Sequence, residues 1–229
     1  MTRRSILSIL FISFTTLVMG QDAYSQLMAK DWAKLKVYEQ KNSELTTSPE
    51  VVFFGDSITQ IWYDADSLFF TSNNFADRGI SGQTTCGMLV RFRQDVINLK
   101  PKAVVILAGT NDIALNDGYI PVKAIADNIF SMCELAMLHG IDVIICSTLP
   151  CSGYKWRPEV DPATLIPQLN ELLKEYAQAN GIAYLDYFEV MNDGNNGLKE
   201  EYTYDKCHPT PKGFEVMKQA FFELWKSKR

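Results

Sequence analysis

The stretch Val51-Val-Phe-Phe-Gly-Asp-Ser-Ile-Thr-Gln60 constrains the fold more than any other part of the chain. Four apolar residues, two β-branched and two aromatic, run unbroken into Gly55, the pattern of a strand covered on both faces. Comparable runs recur at Phe75–Ile80, Pro101–Leu107, Val143–Cys146 and Ile182–Leu185. Between them, residues 84–99, 120–139 and 163–180 read as helices, and Thr210-Pro211 marks the start of a last one, Thr as cap and Pro in the first turn. Buried strands alternating with helices predict an α/β fold with a parallel sheet, which places ligands at the carboxyl edge of its strands. Ser57 falls at that edge. Its hydroxyl is either a nucleophile on a rigid rim, close to helix-start N–H groups, or a helix cap.

The other residues with chemistry to offer fall at the same kind of place. Gly82 follows the second strand, where a glycine N–H can approach a substrate oxygen or simply make a turn. Asn111 follows the third, as an amide donor or as a turn former. Asp205 and His208 stand three apart just before the last helix, close enough for the carboxylate to reach the imidazole. The second histidine, His139, sits at the end of a helix stopped by Gly140, a place for a cation that complements the helix dipole. The long segment from Ser147 to Pro162 carries Tyr154, Trp156 and Arg157, which offer either a flat wall and a fork of donors for a substrate or packing for the loop. Trp62 and Tyr63 either line a substrate entrance or belong to the core. Leu27–Leu45 has Leu27, Trp32, Leu35 and Tyr38 at helical spacing and predicts an amphipathic helix beside the first strand.

Nucleophile, base, base-orienting carboxylate and oxyanion donors are together the parts of an acyl-transfer site. With Gly55-Asp-Ser-Ile58, Gly82 in Ile80-Ser-Gly-Gln-Thr84, Asn111 in Gly109-Thr-Asn-Asp112, and Asp205-Lys-Cys-His208, the chain resembles the SGNH branch of the GDSL-type serine esterases and lipases. The resemblance covers nearly the whole chain after its first residues and is nearer to the small acetylhydrolase-like members than to lipases. It implies a three-layer α/β/α sandwich with a flavodoxin-like five-stranded parallel sheet, and no metal or organic cofactor. Ser57 would be the nucleophile, His208 the base and then acid, and Asp205 its orienter. The oxyanion donors would be the N–H groups of Ser57 and Gly82 and the side chain of Asn111. One departure is Cys207, an oxidisable thiol beside the base.

Met1-Thr-Arg-Arg4 followed by the apolar run Ile6–Met19 reads as a signal peptide, with cleavage after Gly20 or Ser25. The run is too short for a confident membrane span, and no Cys follows it to carry a lipid. The expectation is an exported protein, periplasmic or secreted, with residues 26–229 forming a single hydrolase domain. At 47% hydrophobic and 21% charged, the 229 residues have ample material for one core. A formal charge of −5 argues against nucleic acid and anionic membrane surfaces as partners. Five cysteines, an odd number, leave at least one unpaired within the chain, and mostly buried, reduced thiols are expected.

The expected substrate is a small-molecule or carbohydrate ester, in particular an O-acetyl group on a sugar, since the exported, acidic chain carries a Tyr/Trp/Arg loop and shows no apolar lid. A lysophospholipase or thioesterase is the alternative among enzymes. A carbohydrate-binding protein on a disabled hydrolase fold is the alternative outside them.

Overall fold

The structure, a computed structural model, describes residues 22–227. The signal-peptide reading rests mainly on residues outside that range. Five strands form one parallel sheet: β1 (Val51–Gly55), β2 (Phe75–Gly79), β3 (Ala103–Leu107), β4 (Asp142–Cys146) and β5 (Ala183–Leu185), in the order β2-β1-β3-β4-β5. The expected α/β sandwich is therefore present, with strand edges within two residues of those read from the apolar runs. From β1 onward the helices are α1 (Ser57–Ala65), α2 (Ser67–Thr71), α3 (Thr85–Asp95), α4 (Thr110–Ile113), α5 (Val122–Leu138), α6 (Pro162–Asn180), α7 (Tyr187–Met191) and α8 (Pro211–Ser227).

Alternation along the strands builds two cores. Val52, Phe54, Val104, Ile106, Val143 and Ile145 point to one face, where α3, α5 and α6 cover them. Val51, Phe53, Val105, Leu107, Ile144 and Cys146 point to the other, under α1, α2, α7 and α8. Phe53 is the hub of the second core, with the rings of Trp62, Phe69, Phe70 and Phe221 at 5.5, 5.4, 5.4 and 5.0 Å. Each such ring buried contributes about 1.5–3 kcal/mol. Trp62, a candidate for the substrate entrance, is 2% exposed and belongs wholly to this core. The cysteines are all free thiols, and every one but Cys86 is buried.

Residues 27–45 do not form the expected amphipathic helix. Residues 22–29 are helical, and a one-turn helix spans Glu39–Ser43, but the chain between them is a series of turns. The Asp31 carboxylate accepts the N–H groups of Leu35 and Lys36 at 2.9 and 2.8 Å, and Lys34 adopts a left-handed φ of 57°. A side chain that satisfies its own backbone in this way competes with the helix. Leu27, Trp32 and Leu35 are exposed, while Tyr38 is buried against β2, its hydroxyl 2.5 Å from the Gly79 carbonyl oxygen.

The chain leaves β1 for β2 on one side and returns to β3 on the other, so β1 and β3 flank the point where the strand order reverses. In open α/β sheets ligands bind at such a point, outside the carboxyl ends of the strands. Arg91 of α3 fastens the floor beneath it: Nη2 donates to the carbonyls of Gly55 and Arg78 at 3.0 and 2.9 Å, and Nη1 pairs with Asp95 at 3.0 Å. Gly55 has no room for a side chain, since a Cβ there would stand 2.8 Å from the Leu107 carbonyl oxygen.

Candidate active site

Ser57 is the first residue of α1, so its own N–H has no acceptor one turn back. The preceding Asp56 is the cap, its Oδ1 accepting the Ile58 N–H at 2.9 Å. Ser57 is thus not the helix cap. Its Oγ lies 3.0 Å from His208 Nε2.

His208 arrives from the far end of the chain. Thr210 and Pro211 begin α8, the Thr210 Oγ1 accepting the Gly213 N–H at 3.2 Å. Ahead of them the chain turns tightly at Lys206, φ 76°. Asp205 Oδ1 closes the turn by accepting the backbone N–H groups of Cys207 and His208 at 3.0 and 2.8 Å, and Oδ2 stands 2.7 Å from His208 Nδ1. Partial burial opposes the charge on Asp205, but the His208 N–H, the imidazole and the Cys207 N–H outweigh it and hold the carboxyl below its ordinary range. With Nδ1–H donating to Asp205, Nε2 presents a lone pair to the Ser57 hydroxyl. The three groups can therefore pass a proton from Oγ to Nε2. Cys207, the thiol next to His208, is buried and hydrogen-bonded to Cys151, which together with burial keeps it protonated.

Gly82 sits in a turn closed by the Gln83 N–H on the Ile80 carbonyl at 3.2 Å, with φ 75°, a value that favours glycine. Asn111 lies in the single-turn helix α4 after β3. Its Nδ2 donates to Asp56 Oδ2 at 3.2 Å, and its Oδ1 accepts from Asn116 Nδ2 at 2.8 Å. The same Asn116 amide donates to the Gly82 carbonyl at 3.2 Å, so the loops after β2 and β3 meet through it. Asp112 adds a second tie, accepting the Thr85 N–H and hydroxyl at 3.0 and 2.6 Å. Burial raises the pKa of Asp56 and Asp112 to about 6 in each case. Asp56 and Asp112 stand inside motifs that the sequence makes conspicuous, next to Ser57 and Asn111; nothing in the sequence points to Asn116.

The long loop after β4 places Trp156 beside His208. Trp156 is 40% exposed, with its ring 6.1 Å from that of His208 and its Nε1 3.4 Å from Asn116 Oδ1. Tyr154 is packing: it is buried, and its hydroxyl bonds to the Thr110 side chain and carbonyl at 2.8 and 3.0 Å. Arg157, half-buried, closes the loop through its backbone N–H on the Tyr154 carbonyl at 3.2 Å. His139 caps α5 away from the site, its Nδ1 2.8 Å from the Leu135 carbonyl.

Comparison with known proteins gives the family. Residues 53–216 match the model of the GDSL-like Lipase/Acylhydrolase family. A solved structure from Bacteroides fragilis NCTC 9343 is 44% identical, with a TM-score of 0.83 over 87% of this chain and 100% of its own. A GDSL-like lipase from Bacteroides thetaiotaomicron VPI-5482 is 39% identical, with a TM-score of 0.83 over 86% of this chain and 100% of its own. The Bos taurus isoamyl acetate-hydrolyzing esterase 1 homolog is 30% identical over 206 residues, 77% of this chain and 80% of that protein. With the family model running from the first strand into the last helix, the chain belongs to the GDSL-like lipase/acylhydrolase family and is a carboxylic ester hydrolase.

Proposed function

We propose that the protein hydrolyses short-chain, in particular acetyl, esters on carbohydrates through a Ser57–His208–Asp205 triad and an acyl-enzyme. The observation that carries this reading is the relay of 3.0 Å from Ser57 Oγ to His208 Nε2 and 2.7 Å from Nδ1 to Asp205. His208 takes the Ser57 proton as Oγ bonds to the ester carbonyl carbon. The carbonyl electron pair moves onto oxygen, where the N–H groups of Ser57 and Gly82 and the Asn111 amide donate to it. Collapse breaks the bond to the alcohol oxygen, which leaves with the proton from His208. Water then attacks the acyl-enzyme by the same route and releases the acid and free Ser57.

The short acyl group is supported by the Bos taurus relative, a homolog of an isoamyl acetate-hydrolyzing esterase. The carbohydrate is supported by the half-exposed indole of Trp156 beside the base, a flat face on which a sugar ring can stack. Export is part of the same reading, on the leader-like pattern of residues 1–25.

The test is hydrolysis of p-nitrophenyl esters from acetate to long chains, with acetate release from acetylated oligosaccharides, for wild type and Ser57→Ala. Short-chain activity that falls roughly 10⁴- to 10⁶-fold in the variant supports the proposal. A preference for long chains moves the substrate to lipids, and activity that survives in Ser57→Ala removes the mechanism.

A further inference from the structure

Only one orientation of the Asn111 amide makes it an oxyanion donor. Asp56 Oδ2 accepts one Nδ2 hydrogen, Asn116 Nδ2 donates to Oδ1, and the second Nδ2 hydrogen is left for the site. Flipped, the amide would set its oxygen against a carboxylate and its NH₂ against another NH₂. Asn116 is therefore half of what decides which way Asn111 points. Its other hydrogen bond, to the Gly82 carbonyl, fixes the peptide that follows the second proposed donor.

The backbone is bent to put Asn116 there. After α4, Leu115 takes a left-handed φ of 58°, its N–H bonds to the Asp112 carbonyl at 2.9 Å, and the Asn116 N–H bonds to the Asn111 carbonyl at 3.0 Å. This pair of bonds, six-to-one and five-to-two, is a Schellman closure, usually built on glycine. A leucine in that conformation is strained by its Cβ, and the turn it makes brings residue 116 back over residue 111. Asn116 has two N–H hydrogens for its two acceptors, and its oxygen receives the indole N–H of Trp156 at 3.4 Å.

We propose that Asn116 is the positioning residue of the oxyanion hole, orienting the Asn111 amide and the Gly82 peptide together and tying both to Trp156. This rests on the proposed roles of Asn111 and Gly82. The consequence is kinetic: loss of Asn116 lets the Asn111 amide flip and the Gly82 peptide drift, which weakens stabilisation of the transition state while leaving ground-state binding intact.

The experiment is a double-mutant cycle on p-nitrophenyl acetate with Asn116→Asp, Asn111→Ala and both together, with thermal midpoints measured alongside. An aspartate has no hydrogen for Asn111 Oδ1 or the Gly82 carbonyl and repels both. Asn116→Asp should lower kcat about 10- to 100-fold with KM within about 2-fold. In the Asn111→Ala background it should cost clearly less than in wild type, because one of the two donors it positions is already gone and only its hold on the Gly82 peptide is left to lose. Asn116→Ala gives the same readout without the added charge should the aspartate unfold the loop. Wild-type kcat in both Asn116 variants while Asn111→Ala is impaired overturns this proposal alone, as does full multiplication of the two losses in the double variant. Wild-type kcat in Asn111→Ala overturns the oxyanion reading beneath it and this proposal with it.

Discussion

Asp56 Oδ2 accepts from Asn111 Nδ2 at 3.2 Å, so the residue before Ser57 holds the amide that follows β3. The carboxylate is fully buried, and burial raises its pKa from 3.8 to about 6. Between those values the folded state binds the proton more readily than the unfolded state, so stability falls as pH rises from about 4 to about 6 and then levels off. At neutral pH the charge costs up to about 3 kcal/mol, since each tenfold change in proton affinity is worth about 1.4 kcal/mol. Asp77 and Asp112, also raised to about 6 by burial, add slopes of the same sign. We predict that Asp56→Asn flattens this dependence by roughly a third, the share of one group in three. It should also gain stability at pH 7.5 relative to wild type, and lose activity as Asn111 is released. Urea midpoints at pH 4.5 and 7.5 read the effect, and parallel slopes for the two proteins would refute it.

Asp205 offers a different change of charge. In Asp205→Asn the amide oxygen can still accept the Cys207 and His208 N–H groups that shape the turn, but its NH₂ then faces His208 Nδ1. The ring must turn its lone pair to the amide and its N–H to Ser57, the wrong tautomer for a base. The expected loss in kcat is about 10⁴-fold with the fold retained. Circular dichroism and the thermal midpoint establish the fold, and a loss below about 10-fold would mean that orientation by Asp205 is unimportant.

The parts of this site that were legible in the sequence share one property: each is set by a local rule. A buried strand ending in glycine predicts where Ser57 sits, and the strand ends place Gly82 and Asn111 at the same edge. The Asp205–His208 spacing predicts a contact that three residues of chain can close. What was not legible depends on contacts between distant segments. Trp62 and Trp156 are indistinguishable by type, and only α2 and α8, closing over Trp62 with Phe69 and Phe214 at 4.8 and 5.8 Å, decide that it is core. Asn116 takes its place from a strained turn at Leu115 that no propensity predicts. Leu27–Leu45 has helical spacing, but Asp31 satisfies backbone N–H groups that a helix would have used.

The two tryptophans separate binding from stability. Trp156→Ala removes an exposed face beside His208, so KM for an acetylated oligosaccharide should rise about 10-fold, the worth of roughly 50–60 Å² of apolar area covered by the sugar at about 25 cal/mol per Å². On p-nitrophenyl acetate, which has no sugar to stack, the change should be within about 3-fold. Trp62→Ala should instead cost about 3–5 kcal/mol of stability. Trp62 Nε1 is buried without a hydrogen-bond partner among the described residues, so Trp62→Phe removes an unsatisfied donor as it removes volume, and its net cost should be under about 1.5 kcal/mol. A sugar-specific KM effect in Trp62→Phe with none in Trp156→Ala would reverse the assignment.

Arg91 ties down the strand end beneath Ser57. Its guanidinium is fully buried against the Phe54 ring, 4.1 Å from the centroid, and reaches Gln83, Asp95 and the carbonyls of Gly55 and Arg78. Burial pulls its pKa down, and Asp95, 3.0 Å away, pulls it back up. Arg91→Ala would leave Asp95 as a buried charge without Arg91 and take from the Gly55 carbonyl one of its two donors, the Ile80 N–H at 3.1 Å remaining, at a cost of about 3–5 kcal/mol. Arg91→Met paired with Asp95→Leu removes both charges and fills the space, and should recover at least half of that loss. Because Gly55 ends the strand that presents Ser57, the double variant should still lose activity while its urea midpoint recovers. Full recovery of both would mean that the arginine serves stability alone, and recovery of neither would mean that the hydrogen bonds to Gly55 and Arg78, rather than the ion pair, hold the floor of the site.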